Sequence, residues 1–122
     1  MFLGLRTAIY HVNNLNEAKK WYSNVLGKEP YFDQPYYIGY NVGGYELGLV
    51  PDETESNTKI EGVITYWGVK DAKESFQKLL DSGASKHEDV QDVGEGIIVG
   101  AVKDPFGNIF GIIENPNFSL DK

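Results

Sequence analysis

The chain has 122 residues, 41% hydrophobic and 24% charged, a balance ordinary for one globular domain with a buried core. Eleven basic against eighteen acidic residues give a formal net charge of −7, a field that repels phosphate and disfavours nucleic acid and anionic membranes as partners. The absence of cysteine removes disulfides, thiolate metal sites and cysteine nucleophiles together.

Residues 1–6 form an apolar run too short for a signal peptide and broken by Arg6, and no stretch approaches the ~20 apolar residues of a membrane helix. Cytoplasm is therefore the expected compartment. Residues 5–12 predict a first strand, with Ala8, Tyr10 and Val12 on one face and Thr7, Ile9 and His11 on the other. Asn14 with Glu17 three positions on predicts a capping box, and Leu15, Ala18, Trp21 or Tyr22, Val25 and Leu26 recur at helical spacing until Gly27 stops the helix.

Residues 28–35 are aromatic and turn-like. They lead into a hairpin in which Gly43-Gly44 joins residues 36–42 to residues 45–50. The polar run 51–58 is the expected connector. Residues 63–69 then predict a strand, Asp71 with Glu74 a second capped helix ending at Gly83, and residues 84–96 an acidic loop or irregular strand. A last hairpin turns on Asp104-Pro105-Phe106-Gly107-Asn108, where proline presets φ and Gly107 can take the positive φ of a turn. Its layout repeats that of the first hairpin, with Gly39 aligned on Gly100 and Gly48 on Gly111. Each half thus reads β-α-β-β-β. A unit of that size leaves one sheet face bare, so two units are expected to pair.

Three passages in this order resemble the vicinal oxygen chelate superfamily, which includes glyoxalase I, extradiol dioxygenases, fosfomycin-resistance enzymes and bleomycin-resistance proteins. They are Val12-Asn13-Asn14-Leu15 with Trp21-Tyr22 and Val25-Leu26-Gly27, then Val69-Lys70-Asp71-Ala72 to Gly83, then Asp104-Pro105-Phe106-Gly107-Asn108. The resemblance implies an α+β fold of two tandem βαβββ modules forming a curved mixed sheet around a concave cavity, helices outside. It implies a single domain over 1–122, with module 1 at about 1–51, a connector at about 52–60 and module 2 at about 61–118. It also implies a homodimer.

Metal-dependent members hold a divalent ion on the inner sheet face through His or Glu side chains, one from the first strand and one from the closing strand of each module. Carried onto this chain, those positions fall on Thr7, Gly48, Ile64 and Gly111. None offers an imidazole or carboxylate, so no metal and no cofactor is expected.

On the faces drawn above, Thr7, Ile9, His11, Glu46, Ile64, Tyr66 and Ile109 would line the cavity as ligand-binding residues. Glu46 and His11 are the candidate catalytic groups, Glu46 as a general base or as an anchor for a cationic ligand. The plainer alternatives are a solvated rim carboxylate and a structural histidine. Tyr31, Phe32, Tyr36 and Tyr37 either line the mouth of the cavity or cover a dimer contact. The resemblance implies a protein that binds a small molecule without a metal. The alternatives are a metal-independent or metal-dependent lyase or transferase of the glyoxalase I type, so enzymatic activity stays open.

Overall fold

The computed structural model describes residues 3–52 and 64–119. They fall into two compact units, one on either side of position 58. The expected connector falls largely outside the described residues, as does Val63 at the start of the predicted fifth strand.

The first unit runs β1 (Thr7–Val12), α1 (Leu15–Leu26), β2 (Phe32–Gln34), β3 (Tyr37–Val42) and β4 (Tyr45–Pro51). Its sheet has the order β1-β4-β3-β2, with β1 parallel to β4 and the remaining pairs antiparallel. The second unit repeats this with β5 (Tyr66–Gly68), α2 (Ala72–Asp81), β6 (Ser85–Gly94), β7 (Ile97–Lys103) and β8 (Ile109–Glu114) in the order β5-β8-β7-β6. These are the two βαβββ modules of an α+β fold, each with a mixed four-stranded sheet.

The helices begin where their caps dictate. The Asn14 side chain accepts from the Glu17 N–H at 3.1 Å, and Asp71 accepts from the Glu74 N–H at 3.0 Å. Only this forward half of each expected capping box forms among the described residues. α2 gains a second carboxylate instead: Glu114 of β8 accepts from the Ala72 N–H at 2.9 Å, tying the helix start to the closing strand. Gly27 ends α1 with φ 69°, and its N–H donates to the Ser23 carbonyl.

In module 1 the buried face carries Tyr10, Val12, Ala18, Tyr22, Ile38, Tyr40, Leu47 and Leu49. The alternation predicted for β1 is the one observed: Tyr10 and Val12 are buried, whereas Thr7, Ile9 and His11 are exposed. The Tyr40 hydroxyl is satisfied inside this core, donating to the Lys19 carbonyl at 3.1 Å and accepting from the Ser23 hydroxyl at 2.8 Å. In module 2 the buried side chains are Ala72, Phe76 and Leu79 of α2 and, on the sheet face that Gly100 turns toward Phe76, Val102, Phe110 and Ile112; Ala101 is buried on the opposite face, paired with Gly111. Trp67 stacks on Phe110 with centroids 6.2 Å apart.

The Asp104 turn is a hydrogen-bonded unit. The Asp104 carboxylate, 4% exposed, accepts from the backbone N–H of Phe106 and of Asn108 and from the Asn108 amide nitrogen. In the first hairpin Gly43 and Gly44 take φ of 59° and 92°, as a two-residue turn with two left-handed positions requires.

One expectation changes and two open readings resolve. The aromatic segment before the first hairpin contains β2, the short strand that the β-α-β-β-β order requires there. Of the loop and the irregular strand expected for the acidic stretch in module 2, it is the irregular strand: ten residues whose pairing with β7 shifts register at three places. The glycine alignment is off by one: Gly39 pairs with Gly48, whereas Gly111 pairs with Ala101. Gly100 therefore turns to the helix side, where an added Cβ would meet Val90 and Phe76. The longer Asp104 turn shifts the pairing by one residue, and one residue reverses a strand face.

Candidate functional site

The open face of the module 1 sheet is organised by its hairpin register. Gly39 sits opposite Gly48, and Asn41 opposite Glu46; on the other side of β4, Thr7 is paired with Glu46 and Ile9 with Gly48. Two facing glycines leave a strip of bare backbone on adjacent strands, and aromatic rings lie down on it. A Cβ added at Gly39 would stand 3.1 Å from the Tyr31 ring and 3.1 Å from the Tyr37 ring. One added at Gly48 would stand 2.8 Å or less from three Tyr37 atoms, hydroxyl included. No side chain larger than glycine shares that position with Tyr37 as placed.

Lying flat, the two rings aim both hydroxyls at one carboxylate. Tyr31 Oη donates to Glu46 Oε1, and Tyr37 Oη donates to Glu46 Oε2. Hydrogen bonds to an ionised acceptor are among the stronger kind. The phenols answer electrostatically: burial, followed by the bond to Glu46, raises the Tyr37 pKa well above the ordinary phenol value, and the bond to Glu46 raises that of Tyr31. Both therefore remain donors across the physiological range.

Around this clamp lies an aromatic surface. Phe32 contacts Tyr31, Tyr36 and Tyr37, with ring centroids 6.5, 6.1 and 6.0 Å away. Tyr31 and Tyr36 are 62% and 66% exposed, so their rings present wide areas to solvent. These are the four aromatic residues that the sequence leaves between a cavity mouth and a dimer contact. Their bonding to Glu46 was not anticipated, although the two-residue turn already fixes Gly39 against Gly48.

Of the residues proposed from the sequence, Thr7, Ile9, His11 and Glu46 share the open face of module 1. Thr7 and Glu46 are direct strand partners, while Ile9 and His11 lie opposite Gly48 and Val50. Ile64, Tyr66 and Ile109 belong to module 2. Tyr66 of β5 pairs with Gly111, and its ring lies over that glycine, within 3.1 Å of a Cβ built there. Ile64 is half-buried just before β5, and Ile109 is half-buried opposite Lys103. Tyr37 over Gly48 and Tyr66 over Gly111 are thus the same device in the two modules.

The positions implied for a divalent ion do not fit one. Thr7 offers a single hydroxyl and Ile64 nothing. Gly48 and Gly111 lack side chains and lie under tyrosine rings. Among the described residues no group of three or more His, Cys, Asp or Glu is placed to hold a metal. No helix there is long and apolar enough to cross a membrane.

Residues 4–112 match the family model described as Glyoxalase/Bleomycin resistance protein/Dioxygenase superfamily. Among solved structures, a glyoxalase-related enzyme from Fulvimarina pelagi superposes with a TM-score of 0.80 at 18% identity, covering 98% of this chain and 94% of that one. Lactoylglutathione lyase from Agrobacterium tumefaciens gives a TM-score of 0.75 at 15% identity, covering 99% and 100%. A glyoxalase/bleomycin resistance protein from Albidiferax ferrireducens T118 gives 0.71 at 18%, covering 91% and 98%. Identities this low establish the shared fold alone. No curated protein matches the chain.

Proposed function

Because the chain belongs to the Glyoxalase/Bleomycin resistance protein/Dioxygenase superfamily, we propose that it uses the family scaffold to bind a small molecule without a metal ion. The ligand rests on the open sheet face of module 1, against Glu46 and the surrounding aromatic rings. The observation that carries this reading is the clamp itself: one carboxylate, each oxygen engaged by a tyrosine hydroxyl, set among rings that lie on Gly39 and Gly48. A polar group fixed in position beside apolar surface is the usual composition of a small-molecule site.

A proton-transfer enzyme working through Glu46 is the second reading, favoured by a single carboxylate paired with Thr7 on the open sheet face of module 1. Binding is preferred because the two tyrosine hydroxyls hold the carboxylate as a fixed acceptor, each oxygen keeping a lone pair for a ligand. His11, exposed on the same face, is kept in this second reading as the alternative base. On the first reading the protein is a soluble homodimer in the cytoplasm, 1–122 acting as a single domain.

The test is a ligand screen against protein purified without chelator, followed by recovery of the bound compound and its mass measurement. An unaltered ligand, lost on Glu46→Gln, is expected. A converted product would transfer the assignment to the enzymatic reading. A stoichiometric divalent ion in the same preparation would overturn the metal-free one.

A further inference from the structure

Resting on that reading, we propose that the Glu46 site selects a compact organic cation, an alkylammonium or guanidinium group. The first argument is charge. The Glu46 carboxylate has no cationic partner among the described residues: its side-chain bonds go to two neutral phenols. Two basic residues close to it in the fold are occupied elsewhere. Arg6, whose carbonyl accepts the Glu46 N–H, donates its guanidinium to the Leu3 carbonyl, and Lys28 donates to the carbonyl of Asn41, the β3 partner of Glu46. Lys19 is paired with Asp33.

The second argument is the character of the surface beside that charge. Tyr31 exposes ring area while it donates to the Glu46 carboxylate, Phe32 contacts Tyr31, and Tyr36 extends the exposed aromatic surface through Phe32; ring faces carry the negative end of the aromatic quadrupole. Carboxylate and ring faces attract the same kind of ligand and repel the same kind. An anion would meet the carboxylate, the ring faces and a chain of net charge −7 together. A neutral ligand would gain apolar contact and leave the charge unanswered. A cation carrying methyl or methylene groups satisfies both features. The phenol clamp adds a geometric condition: with one O–H on each oxygen, the carboxylate cannot swing away, and the lone pairs left over face a fixed direction.

The experiment uses the full chain, with choline as the cationic probe and 3,3-dimethylbutan-1-ol, its neutral carbon isostere, as the control. Binding is followed by NMR at the ring resonances of Tyr31, Phe32 and Tyr36 during titration, and repeated at raised ionic strength. Saturable shifts with choline are expected, with the neutral isostere weaker by about tenfold or more and choline affinity falling as salt rises. Glu46→Gln should remove the difference between the two probes. Tyr36→Leu, which keeps apolar area at an exposed position but removes a ring, should weaken choline severalfold with an unchanged melting temperature.

Equal affinity for the two probes, or no shift with choline, would overturn the cation assignment. So would a preference that survives Glu46→Gln. The broader reading fails separately. If neutral or anionic compounds bind this face while cations do not, the small-molecule site stands and its charge preference falls. If no member of a mixed cationic, neutral and anionic library perturbs these rings, the binding reading itself falls.

Discussion

The Tyr37 ring occupies the space that a side chain at Gly48 would need: a Cβ there would lie 2.3 Å from the Tyr37 hydroxyl and 2.7 Å from the ring carbon that bears it. Gly48→Ala should therefore force the ring to move, at a cost of about 1–3 kcal/mol, as overpacking does elsewhere. Tyr37→Ala combined with Gly48→Ala should lose much less than the sum of the two single changes. Thermal and urea melts of the four proteins form the double-mutant cycle, and strict additivity would show that the contact carries no energy.

Alkaline pH probes the same ring from another direction. The Tyr37 pKa is raised in the folded protein, chiefly by burial and then by its bond to Glu46, whereas the unfolded chain titrates near the ordinary 10.0. A raised folded value means that the folded state holds its proton after the unfolded state has begun to lose it. The associated stability is complete below about pH 10 and is lost as pH rises through the folded value. Urea midpoints measured from pH 8 to 11 should fall for the wild type. Tyr37→Phe should flatten part of that slope, and Tyr31→Phe, by the same sign, a further part.

Asp104 should behave as the keystone of the last hairpin. Its carboxylate accepts from Phe106 N, Asn108 N and Asn108 Nδ2 in a nearly water-free position. Asp104→Ala strands those donors and should cost about 2–3 kcal/mol. Asp104→Asn keeps one acceptor oxygen and should cost less. Equilibrium denaturation measures both, and equal losses would show that charge, not hydrogen bonding, governs the turn.

The start of α2 offers a test of shared capping. Glu114 accepts from the Ala72 N–H and Asp71 from the Glu74 N–H, two donors that the helix itself cannot satisfy. Glu114→Ala should destabilise by about 1 kcal/mol, comparable with loss of an N-cap, while Glu114→Gln should retain most of the bond. Hydrogen exchange at Ala72 should quicken in the first variant and hold in the second.

Both helix starts, the hairpin turns and the doubled β-α-β-β-β order were legible because each depends on local chemistry: Asn14 and Asp71 as caps, Gly27 as a stop, Gly43-Gly44 and Asp104 as turns. Face assignments on β1 followed from period-two alternation. β6 was harder to read, since its interrupted pairing with β7 breaks the alternation that marks a strand. At the candidate site, Glu46 and Thr7 could be placed on one face from the sequence. The tyrosine clamp could not, because Tyr31 lies fifteen residues from Glu46 and meets it only through the return of β2 beside β3. Counting back from the Gly43-Gly44 turn sets Gly39 against Gly48. That pair was the available sign that something large must cover bare backbone.

The outermost strand of the second sheet has a consequence for how the molecule survives in a crowded solution. A ten-residue border with unpaired backbone groups would ordinarily invite another chain to extend the sheet, the first step toward fibres. β6 carries Lys86, Glu88, Asp89 and Asp92 along that border, and its three register slips bend it out of the flat form that templating needs. The irregularity that obscures β6 as a strand also makes it a poor template for polymerisation.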